Sequence, residues 1–130
     1  MARTASTQPT ELELLILKVL WDESPLPVRE VRQRLADDGR ELAHTTVITT
    51  LNVMVEKGQL SRRRDRNAFL FSPKIAREAT SQKMLADLVD RVFDGSAAAV
   101  MASLFKRKDL HANEIRELRR ILNDKIKEKE

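Results

Sequence analysis

Two segments of this chain carry the polar and charged side chains that are best suited to binding a partner at the protein surface. The first is AHTTVITTLNVMVEKG, residues 43–58. The second is RRRDR, residues 62–66, the five-residue window with the most basic residues. Threonine hydroxyls and asparagine amides bond phosphates or base edges, and arginine forks suit phosphates and narrow minor grooves. Together the two segments favour binding to double-stranded DNA. The alternative for the arginines alone is a solvated loop.

The first segment is rich in threonine and valine, which favour strands, but its apolar pattern favours a helix. Placed at steps of about 100°, one group of apolar residues falls within an arc of about 120°. These residues are Val47, Ile48, Leu51, Met54 and Val55. Each β-branched residue costs a helix about a few tenths of a kcal/mol, whereas burying each large side chain contributes about 1.5–3 kcal/mol. We therefore predict a helix that ends at Gly58.

The face opposite that arc presents the predicted DNA-contacting groups. They are Thr45, Thr46, Thr49, Asn52 and Val53, with His44 at the helix N-terminus. Helix N-terminal N–H groups favour phosphate, and asparagine is able to pair with adenine. An alternative for His44 is a surface or capping role. The predicted interface is completed by Arg62, Arg63, Arg64 and Arg66, with Arg62 and Arg64 on one side of a strand and Arg63 on the other.

The elements before these residues are predicted from capping and breaking signals. Thr10 and Glu13 form a capping box for a first helix, which SPLP ends at residues 24–27. A second helix, VREVRQRLADD, ends at Gly39.

QLSRRRD and RNAFLFSP predict a two-stranded hairpin, with Phe69 and Phe71 on one face. Three helices followed by a hairpin predict a mainly α fold with a winged helix-turn-helix domain over residues 10–72. We expect a flexible N-terminus over residues 1–9.

Residues 73–130 predict three further helices, with Gly95 ending the first and Ser96 capping the next. These amphipathic helices are too few to enclose a core of their own, so we predict that they form a dimerisation domain. The predicted dimerisation residues are Leu85, Leu88, Val92, Phe93, Ile115, Leu118, Leu122 and Ile126.

Composition argues against several other classes of protein. The chain has 130 residues, a formal net charge of +4 and no cysteine, which excludes disulfides and thiolate metal sites. It has two histidines and no glycine-rich phosphate loop, so we expect no enzyme activity, no metal and no cofactor. No apolar run resembles a membrane span or a signal peptide, and we expect a cytoplasmic protein.

Four segments resemble the penicillinase repressor (BlaI/MecI) family, from about residue 10 onward. They are ELELLILKVLW, HTTVITTLNVMVEKGQL, LVDRVFDGSAAAVMASL and EIRELRRIL. The resemblance implies a homodimeric winged-helix repressor that binds a palindromic operator upstream of antibiotic-resistance or related genes. It also implies dimerisation through the C-terminal helices. Derepression would follow proteolytic cleavage in that region, by a protease linked to a membrane sensor.

Three departures from the family pattern bear on that implication. Members often carry arginine at the position of Val53, so base reading is expected to differ here. The familiar cleavage site is an Asn-Phe bond, and its best match in this chain is Ser103-Leu104. Copper-responsive relatives carry C-terminal cysteine pairs, and the lack of cysteine excludes copper sensing through thiolates.

Two other functions are consistent with the same elements. A MarR-like winged-helix regulator would be released from DNA by direct binding of a small ligand in a pocket between the winged domain and the C-terminal helices. A protein-binding adaptor would use the winged helix as a scaffold. Its binding to random duplex would stay flat as salt rises, since phosphate contacts release counterions.

Overall fold

The computed structural model of this chain describes residues 8–130. The described part contains the helices α1 (Glu11–Asp22), α2 (Val28–Asp37), α3 (His44–Glu56), α4 (Arg77–Val92), α5 (Ala97–Leu104) and α6 (Ala112–Lys129), and the strands β1 (Leu60–Asp65) and β2 (Ala68–Pro73). The prediction of a mainly α fold with a winged helix-turn-helix and a hairpin wing is confirmed. The flexible N-terminus predicted for residues 1–9 falls largely on residues 1–7, which lie outside the described residues.

The chain divides into two compact units, the first ending at Leu85 and the second running from Ala86 to Glu130. The division falls inside α4. The functional boundary that we placed after residue 72 stays a prediction, because a compact unit and a functional domain need not end at the same residue.

The core of the first unit lies among α1, α2, α3 and the hairpin. Its buried apolar residues are Ile16, Leu17, Val19, Leu20, Leu26, Val31, Leu35, Val47, Leu51, Met54, Leu60 and Phe71. Phe71 is fully buried, and its backbone exchanges hydrogen bonds of 2.9 and 3.1 Å with Leu26. The loop before α2 is thereby fastened to the wing, so the hairpin is anchored at its base.

The predicted helix over the threonine-rich segment is confirmed as α3. Val47, Leu51 and Met54 are fully buried, as the apolar arc requires. The hydroxyl of Thr50 donates to the carbonyl oxygen of Thr46 at 2.7 Å, which gives this hydroxyl a partner within the helix. Packing of the inner face therefore outweighs the strand preference of the threonines and valines.

A buried carboxylate joins the start of α1 to the end of α3. Glu13 is 4% exposed, and its carboxylate accepts from the ammonium of Lys57 at 3.0 Å to each oxygen. It also accepts from the backbone N–H of Thr10 and from the amide of Gln59. Burial raises the pKa of the Glu13 carboxyl, but these hydrogen bonds outweigh it and hold that pKa below its ordinary value.

Glu13→Gln is expected to lower the free energy of unfolding by about 1–3 kcal/mol at neutral pH, because Lys57 loses its anion. A carboxyl with a lowered folded pKa stabilises the fold above its unfolded pKa of about 4.3, and this contribution disappears as pH falls through the folded pKa. The difference in free energy of unfolding between the native chain and Glu13→Gln should therefore shrink in acid. Urea unfolding at a series of pH values measures this difference.

Glu11→Gln provides the matched control for this change. Glu11 lies in the same helical turn, but its ion pair with Arg40 is on the surface, with the Glu11 side chain 83% exposed. We expect a loss below about 1 kcal/mol for such a pair. Equal losses for the two variants would show that the buried network contributes no more than a surface pair.

Candidate nucleic-acid interface

The outer face of α3 carries a cluster of exposed polar groups. His44, Thr45, Thr46 and Thr49 are exposed, and Asn52 is half-buried. Within residues 8–130, the hydroxyls of Thr45, Thr46 and Thr49 have no hydrogen-bond partner. Val53 shares this outer face and is 39% exposed. The face therefore offers three unpaired hydroxyls and one exposed apolar side chain to whatever contacts it.

The N-terminus of α3 is open to an anion. Ala43 is the N-cap residue and makes no side-chain cap hydrogen bond. The first turn contains no acidic residue. The N–H groups of that turn have no partner further along the helix, and the helix dipole places positive charge there. An oxyanion such as a phosphate is stabilised by this arrangement.

The wing is held against α3 by a contact between two residues of the predicted interface. Arg62 donates from Nη1 to Oδ1 of Asn52. Arg62 and Arg64 also stack on the ring of Phe69, with guanidinium carbons 4.6 and 5.6 Å from the ring centroid. Strand register explains the stacking, because Arg64 lies directly opposite Phe69 and Arg62 directly opposite Phe71.

The other two arginines of the wing are placed differently. Arg63 lies opposite Leu70 in the register, on the face away from Phe69. Arg66 lies in the turn between the strands with φ 57°, and both residues are exposed. The four arginines therefore fall into two groups. Arg62 and Arg64 stack on Phe69, whereas Arg63 lies on the opposite face of the hairpin and Arg66 lies in its turn.

The Asn52–Arg62 contact changes what Asn52 is able to offer to DNA. Bidentate pairing with adenine uses the amide oxygen as acceptor and the amide nitrogen as donor. Arg62 already donates to that oxygen, which takes one of its two acceptor sites and orients the amide toward the wing. We therefore expect Asn52 to position the wing rather than to read a base while this contact persists.

A double-mutant cycle tests this role for Asn52. Asn52→Ala should weaken binding to operator and to random duplex by similar factors, because a displaced wing loses phosphate contacts. The same change should have little effect in a chain that already carries Arg62→Ala, since coupled neighbours do not add. Thr49→Ala is the control, and its effect should be the same in both backgrounds. Additive losses for Asn52→Ala and Arg62→Ala would contradict the positioning role.

Two basic residues near the start of α3 were missed by sequence reasoning. Arg29 and Arg32 on α2 line a groove with Glu41 and Leu42, which precede α3. Arg32 donates from Nε to the carbonyl oxygen of Leu42 at 2.8 Å and so holds the loop that leads into α3. The sequence contained a signal for this pair, because residues three positions apart lie on the same face of a helix.

The residues predicted for dimerisation lie on exposed apolar surface. Leu85 belongs to the first unit and is 55% exposed. Of the predicted residues in the second unit, the exposed ones are Leu88, Val92, Ile115, Leu122 and Ile126, while Phe93 and Leu118 are half-buried. Ile121 is also exposed and was not predicted. Neither α5 nor α6 contains a buried residue, so the apolar stripe of α6 is only partly covered within its own unit.

The predicted cleavage residues lie at the end of α5. Ser103 is exposed and Leu104, the last residue of α5, is half-buried. Phe105 follows as the C-cap residue and donates its N–H to the carbonyl oxygen of Met101. Proteases cleave locally opened chain, so cleavage of the Ser103-Leu104 bond would require the end of α5 to unwind.

Two kinds of feature are absent from the described part of the chain. Residues 8–130 contain no group of three or more histidine, aspartate or glutamate side chains arranged to hold a metal ion. No helix among them is long and apolar enough to cross a membrane.

Comparison with known proteins identifies related chains along most of the sequence. A family described as penicillinase repressor matches residues 9–124. The transcriptional regulator BlaI of Mycobacterium tuberculosis is 30% identical over 118 residues, covering 89% of this chain and 83% of the relative. The penicillinase repressor of Bacillus licheniformis is 25% identical over 117 residues, covering 90% of this chain and 91% of the relative.

Among solved structures, the complex structure of hsRosR-S4 resembles this chain in fold. Its TM-score is 0.50 at 20% identity, and the match covers 93% of this chain and 92% of the other.

Proposed function

This chain belongs to the penicillinase repressor family, and we propose that it is a homodimeric transcriptional repressor that binds a palindromic operator. Family members are transcriptional repressors and not enzymes. The observation that carries the proposal is the continuous surface formed by α3 and the wing. Unpaired threonine hydroxyls, an open helix N-terminus and stacked arginines lie on two elements joined by the Asn52–Arg62 contact.

The proposed mechanism begins with α3 in the major groove. In helix-turn-helix proteins the N-terminal residues of the recognition helix contact base edges, and two half-sites lie about one helical turn or a multiple of it apart. We assign base contacts to Thr45, Thr46 and Thr49, and thymine-methyl contact to Val53. His44 and the N–H groups at the start of α3 contact phosphate.

The wing is proposed to supply sequence-independent affinity. Arg62, Arg63, Arg64 and Arg66 contact phosphates or the narrow minor groove that flanks each half-site. Arg29 on α2 adds a further cation beside the start of α3. Bound repressor excludes RNA polymerase from the promoter, and the protein acts in the cytoplasm, where the operator DNA lies.

Dimerisation is proposed to proceed through the exposed apolar side chains of α4 and α6. A second copy would cover the stripe that includes Ile115, Leu118, Leu122 and Ile126. Joining two half-sites raises the effective concentration for the second binding event. Cleavage at Ser103-Leu104 by a sensor-linked protease would separate α6 from the DNA-binding unit and thereby release the operator.

A second candidate function is favoured by one observation in the first unit. A cavity of about 220 Å³ lies between the end of α3 and the first half of α4, and the buried residue Gln59 belongs to its wall. We propose that a small ligand in this cavity offers a route of release from DNA that does not need a protease.

The base-reading role is tested by Thr46→Ala combined with Thr49→Ala. These side chains are exposed, so the variant should fold normally. We expect the ratio of operator affinity to random-duplex affinity to fall by about ten- to a hundredfold, because base contacts specify and phosphate contacts do not. Fluorescence anisotropy with both duplexes at one salt concentration measures the ratio. An unchanged ratio would show that another face of the protein reads the operator.

A further inference from the structure

The short connection from β2 to α4, residues 74–76, is held by its backbone from two sides. The N–H of Lys74 donates to the carbonyl oxygen of Gln59, just before β1, at 2.9 Å. The carbonyl oxygen of Ile75 accepts from the indole Nε1 of Trp21 on α1, also at 2.9 Å. The start of α4 is therefore fastened both to the strand side of the winged domain and to its first helix.

Trp21 makes the longer of these two links, across 54 positions of the sequence. Its ring and the side chain of Ile75 are partly buried, and both pack against the hydrophobic core. The guanidinium carbon of Arg77, the first residue of α4, lies 5.7 Å from the centroid of the Trp21 ring. One side chain of α1 thus contacts the connection and the first turn of α4 together.

The indole bonds a carbonyl that α4 does not use for its own ladder. The first helical hydrogen bond of α4 runs from the N–H of Thr80 to the carbonyl oxygen of Ala76, at 3.0 Å. Ile75 lies one residue earlier, so its carbonyl is left to a partner from outside the helix. Because indole has a single N–H donor, removing that donor frees the connection without removing a bond from α4.

The other end of α4 carries part of the proposed dimer surface, including the exposed Leu88 and Val92. The helix has 16 residues without glycine or proline, so nothing in its sequence breaks it. At about 1.5 Å per residue it is about 24 Å long, and a tilt of about 10° at its start moves its end by about 4 Å. Successive base pairs of DNA are about 3.4 Å apart. A small change where α4 starts therefore amounts to one base pair at its end.

We propose that Trp21 is a positioning residue for operator recognition. Its indole N–H fixes the direction in which α4 leaves the winged domain, and thereby the spacing between half-sites that the dimer accepts. This inference rests on the proposed function, because spacing matters only to a dimer on two half-sites. Trp21 touches no DNA in this arrangement and acts through α4. A side chain that only filled the core would instead affect binding to every duplex alike.

The hydrogen bond itself is tested on the full chain without DNA. Trp21 is the single tryptophan of the sequence, so ¹H–¹⁵N NMR shows one indole N–H signal. We expect its exchange with solvent to be slower than that of free indole by about tenfold or more, because the contact must open before exchange. Exchange at the rate of free indole would overturn the positioning role, whether or not the chain is a repressor.

The effect on DNA is tested with Trp21→Phe, which keeps an aromatic ring against the core and beside Arg77 but lacks the donor. The duplexes carry the two selected half-sites at the preferred spacing, or moved by one or two base pairs. The native chain should bind the preferred spacing about tenfold more tightly than its neighbours, because joining misplaced half-sites distorts the DNA. Trp21→Phe should reduce this preference to about threefold or less, and leave affinity for a single half-site within about twofold.

Val31→Ala is the control for a general loss of stability. Val31 is fully buried on α2, so the change weakens the core away from α4 and should keep the native spacing preference. A native preference in Trp21→Phe, or equal loss of preference in Val31→Ala, would overturn the positioning role. If Trp21→Phe does not fold, replacing the indole by its benzothiophene isostere removes only the N–H and decides the same question. A native chain that binds paired half-sites no better than one would refute the dimeric repressor itself.

Discussion

Replacing Arg62 and Arg64 together by alanine is expected to weaken binding to every duplex, operator and random alike, by about ten- to a hundredfold at low salt. Both guanidinium groups stack on the ring of Phe69, so the two charges lie together on one face of the wing. Each phosphate contact to B-DNA contributes about 0.9 to the slope of log affinity against log salt. The double variant should therefore lower that slope by about 2.

Lys106→Ala combined with Lys108→Ala is the charge-matched control for the wing. Both lysines are exposed in the connection between α5 and α6, and their replacement removes the same formal charge. The slope of the control should stay near that of the native chain. A full native slope in the arginine variant would show that Arg62 and Arg64 do not contact phosphate. An equal drop in the control would show that net charge rather than the wing sets the slope.

A single charge introduced into the apolar stripe of α6 is expected to prevent dimerisation and to lower operator affinity strongly. Leu122 is 48% exposed and lies beside the apolar groove formed with Met101, Leu118 and Ile121. Leu122→Asp would place an unpaired carboxylate in the proposed dimer interface, which costs several kcal/mol of association. We expect a monomer, and operator affinity lower by about 10²–10⁴ because two-site binding is lost.

Asn123→Asp is the matched control for that change. Asn123 is the next residue along α6 and is exposed on a different side of the helix. Sedimentation velocity should give a dimer for the native chain and for Asn123→Asp, and a monomer for Leu122→Asp. Truncation after residue 103 should likewise leave a folded first unit with much weaker operator affinity. A monomeric variant that binds the operator as well as the native chain would refute the dimer proposal.

The elements of the fold were predictable because their signals are local. The capping box of Thr10 and Glu13 is present as expected, with both hydrogen bonds formed. The apolar period of residues 47–55 identified α3 despite its strand-forming composition, since burial of the inner face outweighs propensity.

The arrangement of the site was not predictable, because it depends on contacts between distant parts of the chain. Asn52 and Arg62 were both selected as DNA-binding residues, but no local pattern indicates that they bind each other. Glu13 was selected only as a cap, and its pairing with Lys57 spans 44 positions. The cavity beside Gln59 likewise arises where three separate segments meet. Sequence reasoning therefore predicted a set of outward-facing residues, whereas the contacts among those residues required the structure.

Selection of bound sequences from a random pool of duplex DNA tests the central proposal most directly. A dimer that places one α3 in each of two major grooves should enrich an inverted repeat whose half-sites lie about one helical turn or a multiple of it apart. Thr46→Ala with Thr49→Ala should weaken the base preference within each half-site but leave the spacing between half-sites unchanged. Enrichment of a single half-site without symmetry, or of no sequence at all, would contradict a dimeric repressor that reads DNA through α3.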